Sequence, residues 1–173
     1  MKTLCRSCLA LFLVVCALGC KETSGRGSSS PAASGPVLDY LIPGIFGDVL
    51  DSAQHRGRVT VLLFVTTFDI YSQAQATRLE DLFRSHEPRI NAAAIVMEPP
   101  KNIELVQTFA SVLGLTYSVG IADRPQLQSQ GLLGAVKTVP AWIVLDAQGR
   151  VTVAGVGPAT LTELEQAVTL AEQ

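Results

Sequence analysis

The chain has 173 residues, 48% of them hydrophobic, with 13 Lys and Arg against 15 Asp and Glu and a formal charge of −2. The charges are scattered, with no basic run or patch, so nucleic-acid binding finds no support. All four cysteines, Cys5, Cys8, Cys16 and Cys20, fall within the first twenty residues, and the chain from residue 21 onward contains no thiol.

The front end reads as a targeting segment, residues 1–19, set aside from fold reasoning. Lys2 and Arg6 precede the apolar stretch Leu9–Leu18. That stretch is too short to span a bilayer, which takes roughly 20 apolar residues. It ends in Ala17-Leu18-Gly19-Cys20, which resembles a bacterial lipobox. The resemblance implies cleavage before Cys20 and a lipid on its sulfur, hence a membrane-anchored, extracytoplasmic protein of the cell envelope. An ordinary secretory signal and an uncleaved anchor are the alternatives. Cleavage there leaves 11 basic against 15 acidic side chains, a charge of −4. Residues 20–36 form the lipidated cysteine and a linker rich in Gly, Ser, Ala and Pro (KETSGRGSSSPAASGP from Lys21). Such a stretch buries too little surface to offset its ordering entropy and has an end-to-end distance of roughly 20–24 Å.

Residues 37–173 read as one domain. Val59 to Thr66 (VTVLLFVT) is a continuous apolar and β-branched run, as expected of a strand buried on both faces. Ser72 to Phe83 follows, with Ala76, Leu79, Leu82 and Phe83 spaced for one helical face. Ile90 to Met97 (INAAAIVM) predicts a second buried strand, closed by Pro99-Pro100. Asn102 is placed to cap a helix running to Leu113, ended by Gly114. Tyr117 to Ala122 predicts a short strand and Pro125 to Gln130 a short helix. Ala141 to Leu145 and Arg150 to Ala154 flank Asp146-Ala147-Gln148-Gly149 as an antiparallel hairpin. Thr160 and Glu163 form a capping box for a last helix through about Glu172. The order β-α-β-α-β-α-β-β-α predicts an α/β three-layer sandwich with a mixed central sheet.

Three segments carry a family resemblance. His55-Arg56-Gly57-Arg58-Val59 is similar to an "L-K-G-K-V" approach to the first strand. Phe64-Val65-Thr66-Thr67-Phe68 stands where "F-W-A-T-W" is usual. Lys137 to Val151 (KTVPAWIVLDAQGRV) resembles "V-x-x-x-P-T-x-F-L-I-D-x-x-G-x-I". Together they resemble the thioredoxin fold in its TlpA/ResA (redoxin) branch of membrane-tethered proteins. The resemblance implies a C-P-P-C at the start of the first helix, where the helix N-terminal field activates one thiol and the other resolves the mixed disulfide. This chain reads Asp69-Ile70-Tyr71-Ser72 there, a carboxylate and a hydroxyl in place of two sulfurs. The acids that accompany such thiols are missing too: Gln75 and Leu63 occupy those positions. A peroxidatic cysteine fails likewise, since Thr66-Thr67-Phe68-Asp69 holds none.

Asp69 and Ser72 have two readings, as caps of the helix N-terminus or as polar contacts in a retained groove. Pro140 follows suit. The resemblance implies a cis-proline facing the helix, with the backbone of Val139 free to pair with an extended peptide, whereas the plain reading is a turn before a strand. Phe68, Tyr71, Pro140 and Trp142 could rim such a groove, although strand alternation directs Trp142 to the core. His55 and His86 form no ligand-spaced cluster, so neither a metal nor a cofactor is expected. No nucleophile elbow, phosphate loop or paired-carboxylate pattern appears. Two function classes follow: a binding or adaptor module for an envelope protein or peptide, and a thiol-disulfide oxidoreductase or redoxin acting with an external thiol. A structural assembly subunit is a third.

Overall fold

The computed structural model describes residues 35–173. The targeting segment, Cys20 and residues 21–34 of the linker lie outside the described residues.

A five-stranded sheet is the centre of the fold. Its strands are β3 (Val59–Val65), β4 (Ile90–Val96), β5 (Ser118–Ile121), β6 (Ala141–Leu145) and β7 (Val151–Val156), in the spatial order β5-β4-β3-β6-β7. β3, β4 and β5 run parallel, while β6 is antiparallel to both β3 and β7. The two long apolar runs are the innermost parallel pair, and every residue of β3 and β4 is buried. That is why they lack the alternation of a half-exposed strand.

Ahead of the sheet stand β1 (Leu41–Pro43), β2 (Val49–Asp51) and the four-residue helix α1 (Ser52–His55). β1 and β2 form a hairpin with Ile42 opposite Leu50. Both of these side chains are buried, and both lie close to Gly120 of β5, where a Cβ would meet Ile42 Cγ2 at 2.9 Å. Three-residue strands with one inward side chain each carry too little periodicity to be read from sequence.

Helices α2 (Ile70–His86), α3 (Ile103–Val112) and α5 (Leu161–Ala171) share one face of the sheet, packing Leu79, Leu82, Val106, Phe109, Leu164 and Val168 against Val61, Leu63 and Val144. Two right-handed crossovers stepping the same way, β3 to β4 to β5, put α2 and α3 on one side. The other face is covered by Leu38, Tyr40, the hairpin, α4 (Arg124–Gln128) with Leu127, and a 3₁₀ turn (Gly131–Ala135) with Leu133. This second layer is thinner than a pair of long helices would make it.

Boundaries differ from the sequence reading at instructive places. α2 begins two residues early, because Asp69 rather than a later residue is its cap. Asn102 occupies the cap position of α3 but makes no capping bond. Its side-chain amide donates to Glu98 Oε2 at 3.0 Å instead. The capping box at Thr160 and Glu163 forms as expected, with both reciprocal bonds present. Among the described residues no helix is long and apolar enough to cross a membrane.

Candidate functional site

The end of β3 and the start of α2 meet in the loop Thr66–Asp69. The Asp69 carboxylate accepts the Ser72 N–H at 2.9 Å and the Tyr71 N–H at 3.3 Å. The Ser72 hydroxyl, itself fully buried, donates to Asp69 Oδ2 at 2.7 Å and accepts the Thr66 N–H at 3.3 Å. Ser72 thus ties the helix start to the strand end, and Asp69 satisfies two of the free N–H groups. The Ser72 hydroxyl, followed by the N–H groups of Ser72 and Tyr71, holds the Asp69 carboxyl below its usual range against the opposing effect of burial. Asp69 and Ser72 therefore form one interlocked cap, with the Ser72 hydroxyl buried inside it.

Around this cap the surface is apolar. Phe68 is 79% exposed, Ile70 69% and Tyr71 61%. Three neighbouring large side chains left in water are the informative departure, since a single exposed apolar residue needs no explanation. Ile70 was not among the expected groove residues. Its helical neighbours three and four positions on are Gln73 and Ala74, off the buried stripe, and that offset was the available signal.

The second wall is the segment before β6. Ala141 pairs with Phe64, which sets Pro140 beside the end of β3. Pro140 is buried, its peptide bond with Val139 is cis, and its carbonyl accepts the Gly157 N–H at 2.7 Å. Among the described residues, neither Thr138 nor Val139 makes a backbone hydrogen bond. Val139 is half-buried against the cluster that holds Phe64 and Leu133, while Thr138 and Lys137 are exposed. Val156, 74% exposed, ends β7 opposite Ala141. Phe68, Tyr71, Val139 and Pro140 thus share one end of the sheet. Trp142 points elsewhere: it lies opposite Leu63, half-buried against the helical face, with its indole over Gly155.

Gln75 emerges as a buried polar residue beside this site. Its Oε1 accepts the Ala159 N–H at 2.9 Å and the Arg78 guanidinium at 3.0 Å, and its Nε2 has no partner among the described residues. Two donors facing the oxygen fix the amide orientation, so the unpaired donor is forced by chemistry. The sequence marked Gln75 only as the position of an absent acid; its bond to Ala159, 84 residues on, had no local signal.

The histidines lie apart. His55 Nδ1 is 2.5 Å from the Tyr40 hydroxyl, and His86 Nδ1 is 3.0 Å from the Leu82 carbonyl. Among the described residues no three His, Cys, Asp or Glu side chains gather as a metal site. A cleft of about 190 Å³ bordered by His55, Arg58, Asn91 and Tyr117 opens elsewhere. Two of its polar groups are already engaged, Asn91 with the His55 carbonyl and Tyr117 with the Ala76 carbonyl.

Neither protein-family models nor curated protein sequences match this chain. Solved structures do. One described as a thiol:disulfide interchange protein DsbE from Chlorobium tepidum superposes with a TM-score of 0.69 at 19% identity, covering 79% of this chain and 96% of that one. A secreted thiol-disulfide isomerase from Corynebacterium glutamicum gives 0.70 at 17% identity, covering 79% and 86%. StoA from Bacillus subtilis gives 0.61 at 17% identity, covering 76% and 98%. The chain has the thioredoxin-like fold.

Proposed function

We propose that this protein is a membrane-anchored binding module of the cell envelope, which holds an extended segment of a partner between the start of α2 and the loop before β6. One observation carries the reading: the positions for a dithiol hold an interlocked Asp69–Ser72 cap, beside exposed Phe68, Ile70 and Tyr71 and the unbonded backbone of Thr138 and Val139. An extended peptide laid there gains main-chain hydrogen bonds from Val139 and apolar contact from the aromatic side chains. Neither needs sulfur. Anchoring at Cys20, expected from the lipobox, and the secreted nature of the Corynebacterium glutamicum neighbour support an extracytoplasmic setting.

The competing reading is an oxidoreductase working with an external thiol, favoured by the names of the structural neighbours. A double variant, Asp69→Cys with Ser72→Cys, separates the two. Positions 69 and 72 are the N-cap and third residue of α2, the C-x-x-C spacing at which the resembled fold carries its dithiol. The variant is expected to reduce insulin with dithiothreitol as electron source, while the native chain stays at the uncatalysed rate. Turnover by the native chain above that rate sinks the binding-module reading. Phe68→Ala with Tyr71→Ala, both at exposed positions, should leave folding intact and abolish photocrosslinking from position 138 to partner segments.

A further inference from the structure

We infer that the partner segment is acidic: an extended peptide whose apolar residue sits against Phe68, Tyr71 and Val139 and whose carboxylate side chains meet Lys137 and Arg124. This rests on the binding reading above and names the chemistry of its occupant. The argument is one of charge complementarity. Lys137 is two residues ahead of Val139 and exposed. Arg124, exposed at the first position of α4, lies at the end of β5 that corresponds to the end of β3. Its guanidinium donates to the Lys137 backbone carbonyl at 3.2 Å, which seats one cation on the loop that forms the groove wall and that carries the other. Lys101, in the turn after β4, is a third exposed cation at the same end of the sheet.

None of these three pairs with a carboxylate among the described residues, whereas Arg56, Arg84 and Arg89 pair with Asp39, Glu80 and Glu172. Three of the acids at this end are occupied, while the carboxylate of Glu104, exposed in the first turn of α3, has no partner among the described residues. Asp69 holds the α2 cap, Asp123 accepts the Gln126 N–H at 2.9 Å in the α4 capping box, and Glu98 is buried under donors from Thr67 and Asn102. In a chain with more acidic than basic residues overall, the loop before β6 and the start of α4 therefore carry two exposed cations without an acidic partner, Lys137 and Arg124, while Asp69, Asp123 and Glu98 are engaged by donors of their own. A partner's Asp or Glu meets available donors at Lys137 and Arg124.

Short synthetic peptides sharing one Ile-Val-Tyr core and flanked by Glu, Gln or Lys test this with the full-length chain purified in detergent. Fluorescence anisotropy at low ionic strength should rank them Glu, Gln, Lys, with about threefold to tenfold between the first two, the size exposed charge pairs supply. The advantage should fade as salt shortens the screening length to about 10 Å near 0.1 M. Lys137→Glu should reverse the order, and Arg124→Gln should narrow it, each with an unchanged circular dichroism spectrum. Equal affinities for all three peptides that Lys137→Glu leaves equal would overturn the acidic assignment while the binding reading stands. Binding of none of the peptides, or binding untouched by Phe68→Ala with Tyr71→Ala, would overturn both.

Discussion

Gln75 shows how a single side chain records what a site is built around. Its oxygen serves two donors, the Ala159 N–H and Arg78, while its own amide hydrogens find no acceptor among the described residues. A buried donor without a partner costs about 1–3 kcal/mol. Gln75→Met removes that donor but also the acceptor, and orphans the Ala159 N–H, whereas the Arg78 guanidinium keeps its bond to the Ala159 carbonyl at 2.7 Å. Gln75→Met should therefore lower stability by roughly 1–3 kcal/mol, and Gln75→Glu should cost less, because it keeps both donors satisfied and discards the unpaired amide. Urea denaturation at neutral pH reads both. A glutamate variant less stable than the methionine one would contradict this account. Asp69 carries the complementary lesson at the same scale: its capping role was one of two readings open from sequence, and the geometry shows the cap. Asn102, a good cap residue by type, is drawn away to Glu98. Residue type names a competence, and the neighbours decide whether it is used.

At the scale of elements, β6 and β7 depend on one close approach. Trp142 in β6 lies directly opposite Gly155 in β7, and a Cβ on Gly155 would stand 2.3 Å from the indole. Gly155→Ala must therefore displace the ring or spread the strands. Overpacking of this kind costs typically about 1–3 kcal/mol. Trp142 is the only tryptophan in the chain, so its emission should shift in the folded variant along with the loss of stability. An unchanged spectrum and midpoint would show that the ring does not sit on Gly155 in solution. α2 is similarly specific about its underside. Glu80, buried on α2, accepts the Thr116 N–H at 2.7 Å and its hydroxyl at 2.6 Å, and the Arg84 guanidinium at 2.5 Å, joining the helix to the loop before β5. Burial works to raise its pKa, and the bonds from Thr116 and Arg84 outweigh it and hold the carboxyl below its usual range.

For the whole molecule, these shifts set the response to acid. Burial, with Arg58 in support and Asp51 opposing, holds His55 below its ordinary pKa. Asp69 and Glu80 are held low as described, and Glu163 is held low chiefly by the Thr160 N–H and hydroxyl. A folded pKa below the unfolded one means the unfolded chain binds more protons as the pH falls, so stability is lost downward through that window. The loss should come in two stages: one beginning near about pH 6.5 from His55, another below about pH 4 from the carboxylates. His55→Gln should remove the first stage and keep the second in urea midpoints followed against pH. A wild-type midpoint that does not fall between neutral pH and about pH 5 would refute the His55 assignment.

What the sequence alone determined is local. The runs of β3 and β4, the stripe of α2, the Thr160–Glu163 box and the lack of any thiol beyond residue 20 are properties of neighbouring residues, and a short window suffices to read them. So is the contrast between a thioredoxin-like framework and its missing sulfurs. Tertiary structure alone decided the rest, because it depends on which distant segments meet. The β1–β2 hairpin has too few residues for a pattern and forms only because Ile42 and Leu50 find Gly120. Phe68, Ile70 and Tyr71 look like ordinary apolar residues in the chain and become a surface only because none of the described residues covers them. Lys137 and Arg124, thirteen positions apart, become one cationic rim only when α4 folds back toward the loop before β6.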